Sequence, residues 1–163
     1  MTMMRTFTAL CASAFLLAAC ETSGSQSSST QGEGIGTGEG SYMGSHSMQE
    51  QLVAEAGDRV FFALDSSVVD AEGRMTLQRQ AEWLKAHPDV SVTIAGHCDE
   101  RGTREYNLAL GERRANAARD YLLTLGIPAH RLSTVSYGKE RPAVLGSDEG
   151  AWRQNRRAVT TVR

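Results

Sequence analysis

Three residues of this chain have types and spacing that could do chemistry together: Asp99, Asn107 and Arg114. They lie in the run His97-Cys98-Asp99-Glu100-Arg101-Gly102-Thr103-Arg104-Glu105-Tyr106-Asn107-Leu108-Ala109-Leu110-Gly111-Glu112-Arg113-Arg114-Ala115. Val90, Val92 and Ile94 alternate with Ser91, Thr93 and Ala95 just before it, which predicts a strand, and a helical pattern follows a short polar loop. Thr103 is the expected N-cap, with Glu105 in the first turn near the positive end of the helix dipole. At about 100° per residue, Asn107, Leu110, Gly111, Arg114, Ala115, Ala118, Tyr121, Leu122 and Leu125 share one stripe. Glu105, Glu112, Asn116, Arg119 and Asp120 fall opposite. Asn107 and Arg114 are therefore expected to point inward with the apolar residues. A guanidinium there must meet a carboxylate or carbonyls, since breaking a buried pair costs about 3–5 kcal/mol. Asp99, at the end of the strand, is the nearest carboxylate in the chain.

Two readings follow. Asp99, Asn107 and Arg114 could be a structural network clamping loop to helix. They could also line a small pocket for a group that carries both charges, although structural ion pairs are the commoner case. Other chemistries fit less well. His97, Cys98 and Asp99 are metal-capable, but neither they nor His46, His87 and His130 have a recognised ligand spacing, so no metal or cofactor is expected. Asp99 and Glu100 are adjacent and would point apart, unlike the two carboxylates that flank a sugar at about 5–9 Å in a glycosidase. Arg101, Arg104, Arg113 and Arg119 read as a solvated face interleaved with Glu105, Glu112 and Asp120.

The elements that must position these residues are legible in order. Arg59 to Leu64 reads as a strand, and Asp65-Ser66-Ser67 as a turn leading through Val68-Val69 into a helix. That helix has Leu77, Ala81 and Leu84 on its inner side and ends before Pro88. After the strand from Val90 and the helix from Thr103 to Leu125, Gly126-Ile127-Pro128 is a cap and stop. Ser133, Val135 and Tyr137 alternate in a third strand. A long loop from Gly138, a short helix over Asp148 to Asn155 and a final strand over Arg157 to Val162 complete the chain. Helices between strands predict an α/β fold, a mixed sheet with its helices on one face.

The 163 residues suit one domain with extras, and 40% hydrophobic with 22% charged is an ordinary globular mixture. A net charge of −2 argues against a nucleic-acid binder. The extras lie at the start. Residues 1–19 have one charged residue, Arg5, then an apolar run too short to span a bilayer, and read as a secretory leader. Leu17-Ala18-Ala19-Cys20 matches the bacterial lipobox, so Cys20 is expected to carry lipid, with several acyl chains giving a stable anchor. Glu21 is not the aspartate that retains enterobacterial lipoproteins in the inner membrane, which points to the outer membrane. Cys11 leaves with the leader and Cys20 is modified, so Cys98 remains alone and no intramolecular disulfide is expected. Residues 20–50 are rich in Ser, Gly, Thr and Gln, including Gly32-Glu33-Gly34-Ile35-Gly36-Thr37-Gly38-Glu39-Gly40, and read as a flexible tether. About 35 such residues reach about 30–35 Å on average and about 120 Å at full stretch. The folded domain is expected over residues 51–163.

Several runs together carry a resemblance: Gly96-His97-Cys98-Asp99-Glu100-Arg101-Gly102-Thr103, Glu105-Tyr106-Asn107, Leu110 to Ala117, Val135-Ser136-Tyr137-Gly138-Lys139-Glu140 and Asn155-Arg156-Arg157-Ala158-Val159. Over about residues 58–163 the chain resembles the peptidoglycan-associated lipoproteins, which have domains like the C-terminal domain of outer-membrane protein A. The resemblance implies an OmpA-like domain, an α/β sandwich with two main helices on one face of a four-stranded mixed sheet. It implies non-covalent binding of diaminopimelate in the wall's stem peptide, not catalysis. Asp99 would meet the ammonium and Arg114 the carboxylate, with Asn107 orienting loop and ligand by hydrogen bonds and the backbone around Asp65 and Ser66 as weaker contacts. The implied partners are peptidoglycan, periplasmic TolB and other Tol components, and the outer membrane through the lipid. A cell-wall enzyme or enzyme subunit using the same pocket is the alternative. Such chains usually carry Phe-Asp-Phe-Asp-Ser where this one has Phe62-Ala63-Leu64-Asp65-Ser66, so the first acidic position is missing.

Overall fold

The structure, a computed structural model, describes residues 40–163, with side chains from residue 47 on. The leader, Cys20 and the first part of the tether lie outside the described residues. Helix α1 spans Gly40–Glu55 and so begins inside the stretch whose composition suggests a tether. Met48, Leu52 and Ala56 recur every four residues and pack on the core, with Leu52 fully buried. Gln49 bonds the carbonyl of Thr160 at 3.3 Å and accepts from the amide of Val162 at 2.7 Å. The ordered domain thus takes in residues ahead of the expected boundary at 51, because a few helix-spaced apolar side chains suffice even where Gly and Ser dominate.

Four strands follow: β1 (Arg59–Phe61), β2 (Val92–His97), β3 (Leu132–Gly138) and β4 (Arg157–Val162). They form one sheet in the order β1-β4-β2-β3, with β2 and β3 parallel and β4 antiparallel to both β1 and β2. Between them lie α2 (Ala71–Ala86), α3 (Arg104–Thr124) and the short α4 (Glu149–Asn155). The mixed four-stranded sheet is as expected. The core comprises Val60, Val92, Ile94 and Ala158 of the sheet, with Leu77, Ala81 and Leu84 of α2 and Ala115, Ala118 and Leu122 of α3.

Caps fix the helix starts. Asp70 accepts from the amide of Gly73 at 2.8 Å and Thr103 from that of Tyr106 at 3.2 Å, while Asp148 caps α4. The cap at Asp70 sets α2 a few residues later than Val68. β1 also stops earlier than Leu64: after Phe62 donates to Arg156 at 2.9 Å the chain turns, and Asp65 has a φ of +53°. That turn presents the carbonyls of Ala63 and Ser66 toward α3.

The seating of α3 on the sheet depends on two glycines. A Cβ on Gly96 of β2 would overlap the carbonyl of Gly111, and one on Gly111 would meet Ser136 Oγ of β3. Only glycine at both positions permits this approach, which sets the depth at which Asn107 and Arg114 sit.

Candidate functional site

The site forms where β2 ends. Asp99, two residues beyond the strand, accepts from the amide of Arg101 at 3.1 Å, a local turn that directs its carboxylate back. On the facing helix, Asn107 and Arg114 are 2% and 0% exposed, as the stripe predicts. With Leu64 and Asp65 from the loop after β1, Tyr106 from α3 and Arg156 from the end of α4, they line a pocket of about 220 Å³.

The pairing inside differs from the expectation that Asp99 meets Arg114. Arg114 donates to three carbonyls: Ser66 at 2.8 Å through Nε, His97 at 2.8 Å through Nη1 and Ala63 at 3.1 Å through Nη2. Its long side chain reaches the loop after β1, so one guanidinium ties α3, β2 and that loop together. Burial lowers its pKa, with Asp99 among the groups opposing that shift. Asp99 is held instead by Arg101, at 2.6 Å through Nη2, and by Arg156, at 3.4 Å. Burial alone would raise the Asp99 carboxyl, but the bonds from Arg101 outweigh it and hold the group below the usual carboxylate range.

Arg101 is therefore turned toward the pocket, half-buried with its side chain 35% exposed, where a solvated face was expected. Its guanidinium lies 4.0 Å from the ring centre of Trp152, whose indole N–H donates to Glu100 at 3.0 Å. Of the other three arginines grouped with it, Arg104 pairs with Glu140, Arg119 with Asp120, and Arg113 stands over Tyr106. Arg156, 5% exposed, bridges Asp99, the Phe62 carbonyl at 3.1 Å and Glu149 at 2.6 Å.

Asn107 positions the loop. Its amide donates to the carbonyls of Arg101 at 2.7 Å and Thr103 at 2.9 Å, and Lys139 donates to that of Gly102 at 2.7 Å. Cys98 is 2% exposed and gives its thiol to the Asn107 carbonyl at 3.3 Å. Burial pushes that thiol's pKa up. Of the weaker candidates, Asp65 lines the pocket and accepts from the Tyr106 hydroxyl. Ser66 is absent from the lining but supplies the carbonyl that holds Arg114.

Sequence reasoning missed Arg101, Arg156, Tyr106 and Leu64 as lining residues. Arg156 had one signal, a second arginine at a strand start in Asn155-Arg156-Arg157, where two neighbours must serve opposite sides. The result is a pocket with three guanidiniums and two carboxylates, able to accept a ligand that carries both charges and an apolar stem against Leu64 and Leu110.

Fold and site together define the class: residues 61–156 match the model of the OmpA family, and the chain belongs to that family. Its near relatives are more particular. It is 48% identical to the peptidoglycan-associated lipoprotein of Rhizobium meliloti strain 1021 over 146 residues, 90% of this chain and 81% of that one. It is 54% identical to that of Agrobacterium fabrum over 114 residues, 70% of this chain and 64% of the relative, just under two thirds of its length. Among solved structures, the peptidoglycan-associated lipoprotein from Burkholderia pseudomallei is 45% identical with a TM-score of 0.65, covering 69% of this chain and 93% of that one. The C-terminal domain of Helicobacter pylori MotB shares the fold, at 20% identity and a TM-score of 0.61 over 65% of this chain and 84% of that one.

Proposed function

We propose that this protein is an outer-membrane lipoprotein that grips the wall from the periplasmic side. Its pocket would hold the free end of diaminopimelate in the peptidoglycan stem, without catalysis. The observation that carries this reading is the placement of anionic Asp99 beside three buried or half-buried guanidiniums in one small pocket. The ammonium of the ligand would join Asp99, sharing it with Arg101 and Arg156. The carboxylate would take the donors that Arg114 does not spend on the three carbonyls, since a guanidinium has five N–H groups. Asn107 acts by holding the loop that carries Asp99 and Arg101. Lipid on Cys20 would anchor the chain, and TolB with the other Tol components are the partners that the family resemblance supports.

Calorimetry of the protein with three muropeptides tests the pocket. Amidating the side-chain carboxylate of diaminopimelate removes a charge-assisted bond of about 1.5–3 kcal/mol, about 10- to 150-fold in affinity. Replacing diaminopimelate by lysine should cost at least as much. Equal affinity for all three would mean that Asp99, Asn107 and Arg114 form a structural network and the wall is recognised elsewhere.

A further inference from the structure

The sheet face turned away from the helices carries a second concentration of charge. Side chains from all four strands, Ala95, Val135 and Val159 among them, floor a groove of about 650 Å³, and Arg59, Arg141 and Arg157 stand along it. The buried arginines of this protein are unequally provided for. Arg114 and Arg131 each donate to three carbonyls at 2.7–3.1 Å. Arg156 has two carboxylates. Arg157 is also buried, at 7% exposed, yet among the described residues it donates only to the carbonyls of Asn155 at 3.4 Å and Arg141 at 3.3 Å. Both lengths exceed a good N–H···O bond. Among the described residues no carboxylate lies within ion-pair distance of Arg157 or Arg141, and Asp58 pairs with Arg59 at 3.3 Å. Burial lowers the pKa of Arg157, neighbouring Arg59 lowers it further, and Asp58, already paired with Arg59, opposes the shift more weakly.

We propose that this face docks a protein partner through an extended segment bearing carboxylate side chains, one of which pairs with Arg157 and Arg141. A buried guanidinium with two long bonds and no carboxylate in ion-pair contact is costly in the free protein, and a carboxylate offers the planar match it lacks. The floor argues for polypeptide over a lipid headgroup. It runs across four strands, farther than one phosphate reaches, and the groove has no lysine at its rim. Arg141 stacks 3.8 Å from the ring centre of Tyr137, and Arg with Tyr is the pairing enriched in the cores of protein interfaces. The surface is distinct from the pocket, because Arg156 faces Asp99 while Arg157 faces the groove.

The test is a titration of the isotope-labelled protein, read by backbone amide shifts, with a capped peptide of alternating valine and glutamate. Its valine and glutamine counterpart and vesicles of phosphatidylglycerol are the other arms. The acidic peptide should shift the amides of Thr93, Ala95, Val135 and Val159 saturably and leave those of Gly102 and Asn107 in place. Arg157→Gln and Arg141→Gln should each weaken this binding by about tenfold or more. Arg141→Gln keeps the test independent of folding, because Arg141 is exposed and, among the described residues, its guanidinium stacks on Tyr137 without a hydrogen bond. No saturable shift on this face up to about 1 mM peptide, or equal binding of the glutamine peptide, overturns the proposal. Shifts from the vesicles alone also overturn it and would make the face a membrane contact.

Discussion

Acidification should weaken the fold through a single side chain, His97. This residue ends β2, is 5% exposed, and its Nδ1 lies 3.1 Å from the carbonyl of Arg141. Burial, and after it the charge of Arg157, lower its pKa from 6.5 to about 4. Between those values the unfolded chain binds the proton and the folded protein does not. The stabilising contribution is therefore complete above about pH 6.5 and is lost as the pH falls toward about 4, at up to about 1.4 kcal/mol per unit and about 3 kcal/mol in total. Against a usual stability of about 5–15 kcal/mol, that is a large fraction. Asp99 overlaps little with this window, since its depressed pKa means that its own contribution is lost from the ordinary aspartate value downward. Urea unfolding, followed by the fluorescence of buried Trp83 from about pH 7 to about pH 4.5, should show midpoints falling steadily in the native protein. In His97→Gln, which keeps a donor for the Arg141 carbonyl but does not titrate, the slope should be much flatter. The same slope in both proteins would refute the reasoning.

Three further predictions concern the seating of the site and its anchor. Gly96→Ala should force α3 away from β2 and destabilise by about 3 kcal/mol, within the upper range for overpacking, while weakening muropeptide binding by displacing Asn107 and Arg114; thermal unfolding and calorimetry read both, and a variant unchanged in both would show that the helix moves freely. Cys98 should react with thiol reagents slowly in the native protein and readily in denaturant, because it is 2% exposed and burial raises its pKa; fast native labelling would contradict its burial. Cys20→Ser should abolish lipid labelling and leave the protein soluble or held by an uncleaved leader in the inner membrane, as fractionation would show; outer-membrane recovery equal to that of the native protein would exclude the lipobox.

Local pattern accounts for the four strands, for α2 to α4 apart from their exact ends, and for the inward face of α3, but not for α1. Alternation over Val90 to Ala95, the cap at Thr103 and the stripe from Asn107 to Leu125 are local signals, set by strand and helix periods that hold in any tertiary setting. It also placed Asp99, Asn107 and Arg114 around one loop and required that Arg114 meet carboxylates or carbonyls. Which of those it meets was decided by the fold. The carbonyls of Ala63 and Ser66 lie 51 and 48 residues away in the chain, presented by a turn at Asp65 whose left-handed backbone no local pattern announces. Asp99 took Arg156 because β4 lies between β1 and β2, bringing the end of α4 against the end of β2 across 57 residues, while Arg101, its other partner, comes from the same loop. The start of the domain was hidden for a related reason: Met48 and Leu52 are too few to outweigh the Gly and Ser around them until β4 and α2 supply the surface they cover. Charge pairing and burial depend on what arrives from distant segments, and strand order, which fixes those arrivals, is a property of the assembled sheet.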